Sequence, residues 1–397
     1  MALPTAYTLE IAFTTAPFQT PTWVDVSAYM ISAQSRRGRS AEMSRTDPGT
    51  FRVELDNSDR RFDPTYTSSP YYPNVIPMKR IRFRVTHNST TYNVWTGFIE
   101  GWPPVWSMPD YSVVSLSCVD GFDFLNTYDL DGEFSEQFSG ERINAVLTQV
   151  GWPAGDRSID TGQSRVQAAT FAATDEHKAL DHIQNTGEQS ELGVVYIGAD
   201  GKLVFHDRHR RLKSPYSISQ ATFGDAAGEL PYESADPDYD RSRIENLIRV
   251  TRPGGTTQTV SDSTSQTAYG KRVGAYTPAL TSDIETKDMA DFLLGSRKDP
   301  HYRFRGLTVQ PLDDNTLWAQ VLGRELGDRI TVKKRPPGGG NVLSQDVHIE
   351  SISHEVGPAR QWHTSFTLSP AEPYFFWVLD VSELGDSEGV TSTRLAY

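Results

Sequence analysis

The sequence predicts a mainly β protein with an α+β insertion, on three observations. Gly and Pro together number 54 of 397 residues, beside 37% hydrophobic and 11% aromatic residues, the profile of a loop-rich globular β protein. Successive short runs alternate apolar and polar side chains with the period of half-buried strands. The third observation is a script written twice, 250 residues apart. Phe98-Ile99-Glu100-Gly101-Trp102 is answered by Leu116 and Cys118, and His348-Ile349-Glu350-Ser351-Ile352 by Phe366 and Leu368, with Trp106 falling on Val356. A β-domain built twice in one chain implies a quasi-symmetric structural part rather than an enzyme. The length exceeds a single core, and the expected division is a first β domain at 1–125, an acidic α+β domain at 126–239, a second β domain at 240–370 and a C-terminal arm at 371–397.

In chain order, strands are expected at Tyr7 to Phe13, Phe51 to Leu55, Ile81 to Val85, Tyr92 to Ile99 and Val113 to Val119. Four prolines between Asp63 and Pro77 exclude a central strand or helix there and leave an ordered surface loop. Ile143, Val146, Leu147 and Val150 follow helical spacing, opened by Ser139 and Glu141 and stopped by Gly151-Trp152-Pro153. A second helix is expected from Thr174 to Gly187, with Asp175 and Glu176 suiting its first turn. Val194 to Ile197 and Leu203 to Phe205 flank Asp200-Gly201, which reads as a two-residue hairpin turn. Strands resume at Leu247 to Thr251, followed by a Gly-, Ser-, Thr- and Gln-rich stretch read as a long hairpin tip or mobile loop. Ser282 and Glu285 form a capping box for a helix with Met289, Phe292 and Leu293 on its apolar face and Gly295 at its end. The last strands are Arg329 to Lys333, Val347 to Val356 and Trp362 to Leu368.

Composition narrows the function classes. The single Cys118 excludes an intrachain disulfide and reads as a small core residue made in a reducing compartment. The start carries no secretory pattern and no run is long enough for a membrane helix. Net charge is −13, and it is uneven: residues 126–239 hold 9 basic and 19 acidic side chains, while the flanking segments are near neutral. Such a chain is poorly suited to tight binding of a nucleic acid backbone.

Chemical constellations are sparse. His206 and His209 lie among arginines that repel a divalent cation, and His177 and His182 fall on different helix faces, so no metal or cofactor is expected. Glu133, Glu136 and Glu141 could be searched for a glycosidase pair, but their spacing in an acidic stretch is unspecific. No nucleophile elbow, P-loop or dinucleotide fingerprint occurs, so no catalytic residue is assigned. The candidate interface residues are Arg36, Arg37 and Arg39, read as a salt-bridged interface or solvated edge, and Trp95, Trp102 and Trp106. With Tyr111 these tryptophans could bind carbohydrate or fill a barrel and its subunit contact, and the second is favoured.

Several runs resemble the tail hub proteins of long-tailed bacteriophages, also called baseplate hub or minor tail proteins. In the first half these are Trp23-Val24-Asp25-Val26-Ser27, Arg37-Gly38-Arg39, Pro48-Gly49-Thr50-Phe51, Leu55-Asp56-Asn57 and Phe62-Asp63-Pro64. In the second they are Leu326 to Val332, Ile349 to His354 and Trp362 to Pro370. The resemblance implies two tail-tube-like β-barrels per chain and a homotrimer whose six barrels match the hexameric tail tube. It further implies a siphophage virion protein, made in the host cytoplasm and placed at the tail tip. The implied partners are the tail tube or distal tail ring, the tape measure protein and a tail tip or central fibre protein, with DNA passing unbound during genome ejection. The chain stops soon after the second barrel with no lysozyme or peptidase in view, so any wall cleavage is expected from a partner. The alternatives are a distal tail or adsorption protein that binds host glycans and, further off, a wall hydrolase.

Overall fold

The computed structural model describes residues 4, 6–107, 111–239, 241–312, 314–358 and 360–371, with the backbone of 376–377 and 394–395. The expected arm at 371–397 therefore falls almost wholly outside the described residues. The first half contains β1 (Ala6–Ile11), β2 (Met30–Gly38), β3 (Asp47–Asp56), β4 (Arg80–His87), β5 (Thr90–Ile99), β6 (Pro104–Ser107) and β7 (Tyr111–Val119). Their alternation is the cause of their form: Ile81, Phe83 and Val85 on β4 are buried, while the arginines between them face outward and pair across the sheet with Glu10. The Pro- and Tyr-rich connector is a chain of turns pinned by successive backbone bonds from Asp63, Tyr66, Ser69 and Tyr72.

The middle segment holds α1 (Phe122–Thr127), α2 (Ser139–Val150), α3 (Ala179–Gln184), β8 (Val194–Ile197) and β9 (Leu203–His206), around a core of Ile143, Leu147, Ile183, Val195 and Phe205. Gly151 ends α2 at φ +80°, as its place after Val150 requires. Two expectations differ. Residues 173–175 form a turn, in which Asp175 N donates to Ala172 O, and Asp129 and Lys178 form a bridge while Ala179 N donates to Tyr128 O, so the helix begins only at Ala179. Asp200-Gly201 belongs to a longer loop, since Ile197 pairs with Leu203 and Gly198 N donates to Lys202 O.

The remaining elements are β10 (Thr222–Phe223), β11 (Ser234–Asp238), β12 (Leu247–Val250), β13 (Gln258–Ser261), β14 (Val273–Tyr276), β15 (Arg303–Val309), β16 (Arg329–Lys334), β17 (Leu343–Val356) and β18 (Trp362–Pro370). Helices α4 (Ser263–Tyr269), α5 (Asp283–Arg297) and α6 (Leu317–Gly323) lie among them. The polar stretch read as a loop thus forms β13 and α4, because β13 pairs with β12 and Asp262 caps α4 by accepting from Ser265 N. Ser282 caps α5, but Glu285 turns away to Ser164 Oγ at 2.7 Å instead of closing the box. Gly295 lies inside that helix, which runs on to Arg297.

The main sheet joins the two halves in the order β11-β15-β18-β17-β2-β3-β7-β5-β4-β1. Each half presents the same five-strand series: β2-β3-β7-β5-β4 in the first and β11-β15-β18-β17-β16 in the second. The equivalence extends to single residues. Ile99 pairs with Cys118 and Ile349 with Leu368; Val105 pairs with Val113 and Glu355 with His363; Trp106 pairs with Ser112 and Val356 with Trp362. Every one of these correspondences keeps the 250-residue offset. The fold is mainly β, two β-barrel halves with an α+β insertion, and one hydrophobic core runs through both halves from Phe51 and Phe83 to Trp318 and Trp362.

Candidate functional site

The two barrels meet where β2 lies antiparallel to the far end of β17, from Ala33 opposite Val356 to Gly38 opposite Ser351. Gly38 holds φ +100°, and a Cβ there would stand 2.2 Å from Glu350 O, so only glycine lets the two backbones approach. Glu350 occupies a bulge in β17. Its buried carboxylate accepts from Arg39 Nε at 2.6 Å, Arg211 at 2.8 Å and Ser369 Oγ at 2.5 Å, and thereby ties the first barrel, the middle segment and the second barrel together. Burial alone would raise this carboxyl, yet Arg211 and Arg39 outweigh it and hold it well below the usual carboxylate range. Beside it, buried Arg37 donates to Glu325 at 2.6 Å.

A cavity of about 250 Å³ opens at this meeting point, lined by residues including Arg39, Tyr196, His206, Arg211, Tyr216 and His348. Burial, then Arg210 and Arg211, push His206 down to about 4, and burial, then Arg211, push His348 down to about 3. Both rings are therefore neutral near pH 7. The lining guanidiniums are already answered, Arg210 by Asp160 at 3.4 Å and Arg329 by Asp346 at 2.6 Å. The arrangement clamps three segments; its charges are spent on one another.

The structure separates the candidate residues. Arg37 and Arg39 are buried in ion pairs between the halves, whereas Arg36, one position along the same strand, is exposed. Trp95 lies inside the first barrel against Phe51, at 5.0 Å between ring centroids. Trp102 is buried too, its Nε1 donating to Ile76 O at 2.8 Å. Trp106 is 65% exposed and, with exposed Tyr111, marks the tip of the β6–β7 hairpin. Glu136 pairs with Arg165 at 2.9 Å, and Glu141 accepts from Phe138 N at 3.0 Å. Among the described residues, no group of three or more His, Cys, Asp or Glu is placed to hold a metal ion. Sequence reading did not anticipate Glu325, Arg211 or the role of Glu350 as a clamp. Arg211 was legible only as part of a basic run, and its partner lies 139 residues away.

Neither a protein-family model nor a curated protein matches the chain. Solved structures do. The 43 kDa tail protein of prophage MuSo2 from Shewanella oneidensis is 12% identical with a TM-score of 0.57, covering 92% of this chain and 96% of that one. The tail protein from Neisseria meningitidis MC58 is 11% identical with a TM-score of 0.59, covering 91% and 96%. An Escherichia coli type VI secretion component, described as structurally similar to the T4 bacteriophage tail proteins gp27 and gp5, is 12% identical with a TM-score of 0.50, covering 91% and 76%. At such identities the likeness is one of fold, and the chain has the fold of these tail proteins.

Proposed function

We propose that this chain is a non-enzymatic structural hub at the distal end of a phage tail. Three copies form a ring whose six barrels meet the hexameric tail tube, and the ring forms part of the channel through which DNA leaves. The observation that carries the reading is the duplicated barrel with its residue-for-residue register, Ile99 with Cys118 and Ile349 with Leu368. A duplicated barrel lets three chains face six tube subunits, and the tail proteins of like fold support it. In this reading the barrels are residues 1–125 and 240–370, with 126–239 on the outside, although β10 and β11 already hydrogen-bond into the second barrel. The ring above, the tape measure protein and a central fibre are its neighbours, and its place is the virion tail tip.

Copy number and position in purified particles test this. Three copies per virion at the tail tip are expected, and absence from particles contradicts the reading. The exposed Trp106 and Tyr111 favour one rival, a glycan-binding adsorption protein. Saturable binding on a glycan array, lost in Trp106→Ala, would support that rival instead.

A further inference from the structure

We infer that β11 and Arg241 of one chain dock on β6 and Glu100 of the next, repeating between chains the junction that β2 and β17 make within a chain. This rests on the hub reading and assigns the surfaces through which the copies meet. The premise is the internal repeat. Each half has two such edges, and among the described residues one edge of each half is used: β2 of the first half covers the far end of β17 in the second. The counterpart of β2 is β11, and the counterpart of the far end of β17 is β6 with the residues that lead into it.

The register fixes which residues correspond. Ala33 pairs with Val53, which pairs with Leu116; Ala235 pairs with Leu307, which pairs with Phe366, 250 residues after Leu116. Ala235 therefore stands where Ala33 stands. Counting six residues on in sequence, past the strand ends at Gly38 and Asp238, brings Arg39 in the first half and Arg241 in the second. On the opposing edge, the offset of 250 places Glu100 at Glu350 and Trp106 at Val356.

Burial differs at these equivalent positions just where a covering strand is present or missing. Val356, under β2, is 2% exposed, whereas Trp106 is 65% exposed. Arg39 and Glu350 form a buried ion pair, whereas Arg241 and Glu100 are exposed, and among the described residues neither has an ion-pair partner. The open edges thus repeat one charged pair of the closed junction, Arg241 for Arg39 and Glu100 for Glu350, while Asp236, Asp238 and Asp240 stand in sequence where Gln34, Arg36 and Gly38 stand, so the close backbone approach at Gly38 is not repeated. Exposed Val105 and Tyr239 add apolar surface to them. A head-to-tail contact of this kind uses two different surfaces, so it propagates around a ring instead of stopping at a dimer.

Two details shape the contact. The Ala235 carbonyl accepts from Lys334 Nζ at 2.9 Å and keeps a second lone pair for a strand partner. Pro237 and Pro104 fall opposite one another in this register, so no amide hydrogen bond forms at that step, and side chains and the Arg241–Glu100 pair carry more of the contact than the ladder does.

Charge reversal and cross-linking of the full-length chain test the assignment. Glu100→Arg and Arg241→Glu, both at exposed positions, should each weaken assembly by about tenfold or more in sedimentation, and the double reversal should restore it. With Val105→Cys and Asp236→Cys in one chain, oxidation should give a covalent ladder up to the full oligomer, in solution or in assembled particles. An oligomer that neither reversal weakens and that yields no ladder overturns the docking assignment while leaving the hub reading in place. If the isolated chain stays monomeric, the ladder in particles decides. A chain absent from particles removes the hub reading itself.

Discussion

At the residue scale, the clamp on Glu350 is the most consequential feature. Removing one partner of a buried ion pair leaves an uncompensated charge and costs about 3–5 kcal/mol. Glu350→Gln leaves Arg39 and Arg211 facing a neutral amide, and chemical denaturation should show a loss of that order; a change under about 1 kcal/mol would show that the clamp does not hold the halves together. Acid should act at neighbouring residues. Burial first, then nearby arginines, hold His348 and His354 at about 3 and His206 at about 4, against an ordinary 6.5. From about pH 6.5 downward the unfolded chain binds protons that the folded one refuses, so stability falls as pH drops through this window. Glu350 adds the same sign below its ordinary 4.5, since its folded form stays ionised. Asp120 opposes them: burial raises it to about 7, so it favours the fold towards the acid side of that value. Burial likewise raises Glu188 and Asp328, and burial, then Arg142, holds His182 at about 4; four histidines outweigh three carboxyls, and Tm should decline from pH 7 to pH 4. His354→Gln should flatten the slope by up to about 1.4 kcal/mol per pH unit; a Tm that rises on acidification contradicts the assignment.

At the element scale, the junction of β2 with β17 depends on a residue that cannot carry a side chain. Gly38→Ala forces a Cβ into Glu350 O at a positive φ, and we expect it to destabilise the protein more than Gly132→Ala, which also has positive φ but open space around it. Equal Tm losses would show that crowding at the junction is not the cause. Trp362 is the corresponding core element, fully buried with ring centroids 5.6 Å from Trp318 and 6.2 Å from Phe83. Trp362→Ala should cost about 3–5 kcal/mol in denaturant unfolding, and a loss under about 1 kcal/mol would show that the halves do not share their core. Strands such as β4 and β7 were legible because their alternation is local. β2 was not, since its basic run hides the inward positions Ala33, Ser35 and Arg37, and the acids that make burial of Arg37 and Arg39 possible arrive from residues 325 and 350. The early start expected for α3 failed likewise, because a bridge to residue 129 outweighs a favourable first turn.

At the scale of the whole molecule, the duplication visible as two similar hairpins is a repeat of strand order and register, and it explains why a chain with two halves has one closed and one open junction. The uneven charge has its own consequence. With the flanking segments near neutral and the surplus at 126–239, DNA binding should be weak and vanish at physiological salt; nanomolar, salt-resistant affinity would contradict a channel past which DNA slides. The most direct measurement is a reconstruction of the tail tip from purified particles. The hub account predicts three copies in a ring, their six barrels alternating around the axis and stacked on the six-fold tube. A tail tip without this chain, or with the chain as an isolated peripheral copy, contradicts it.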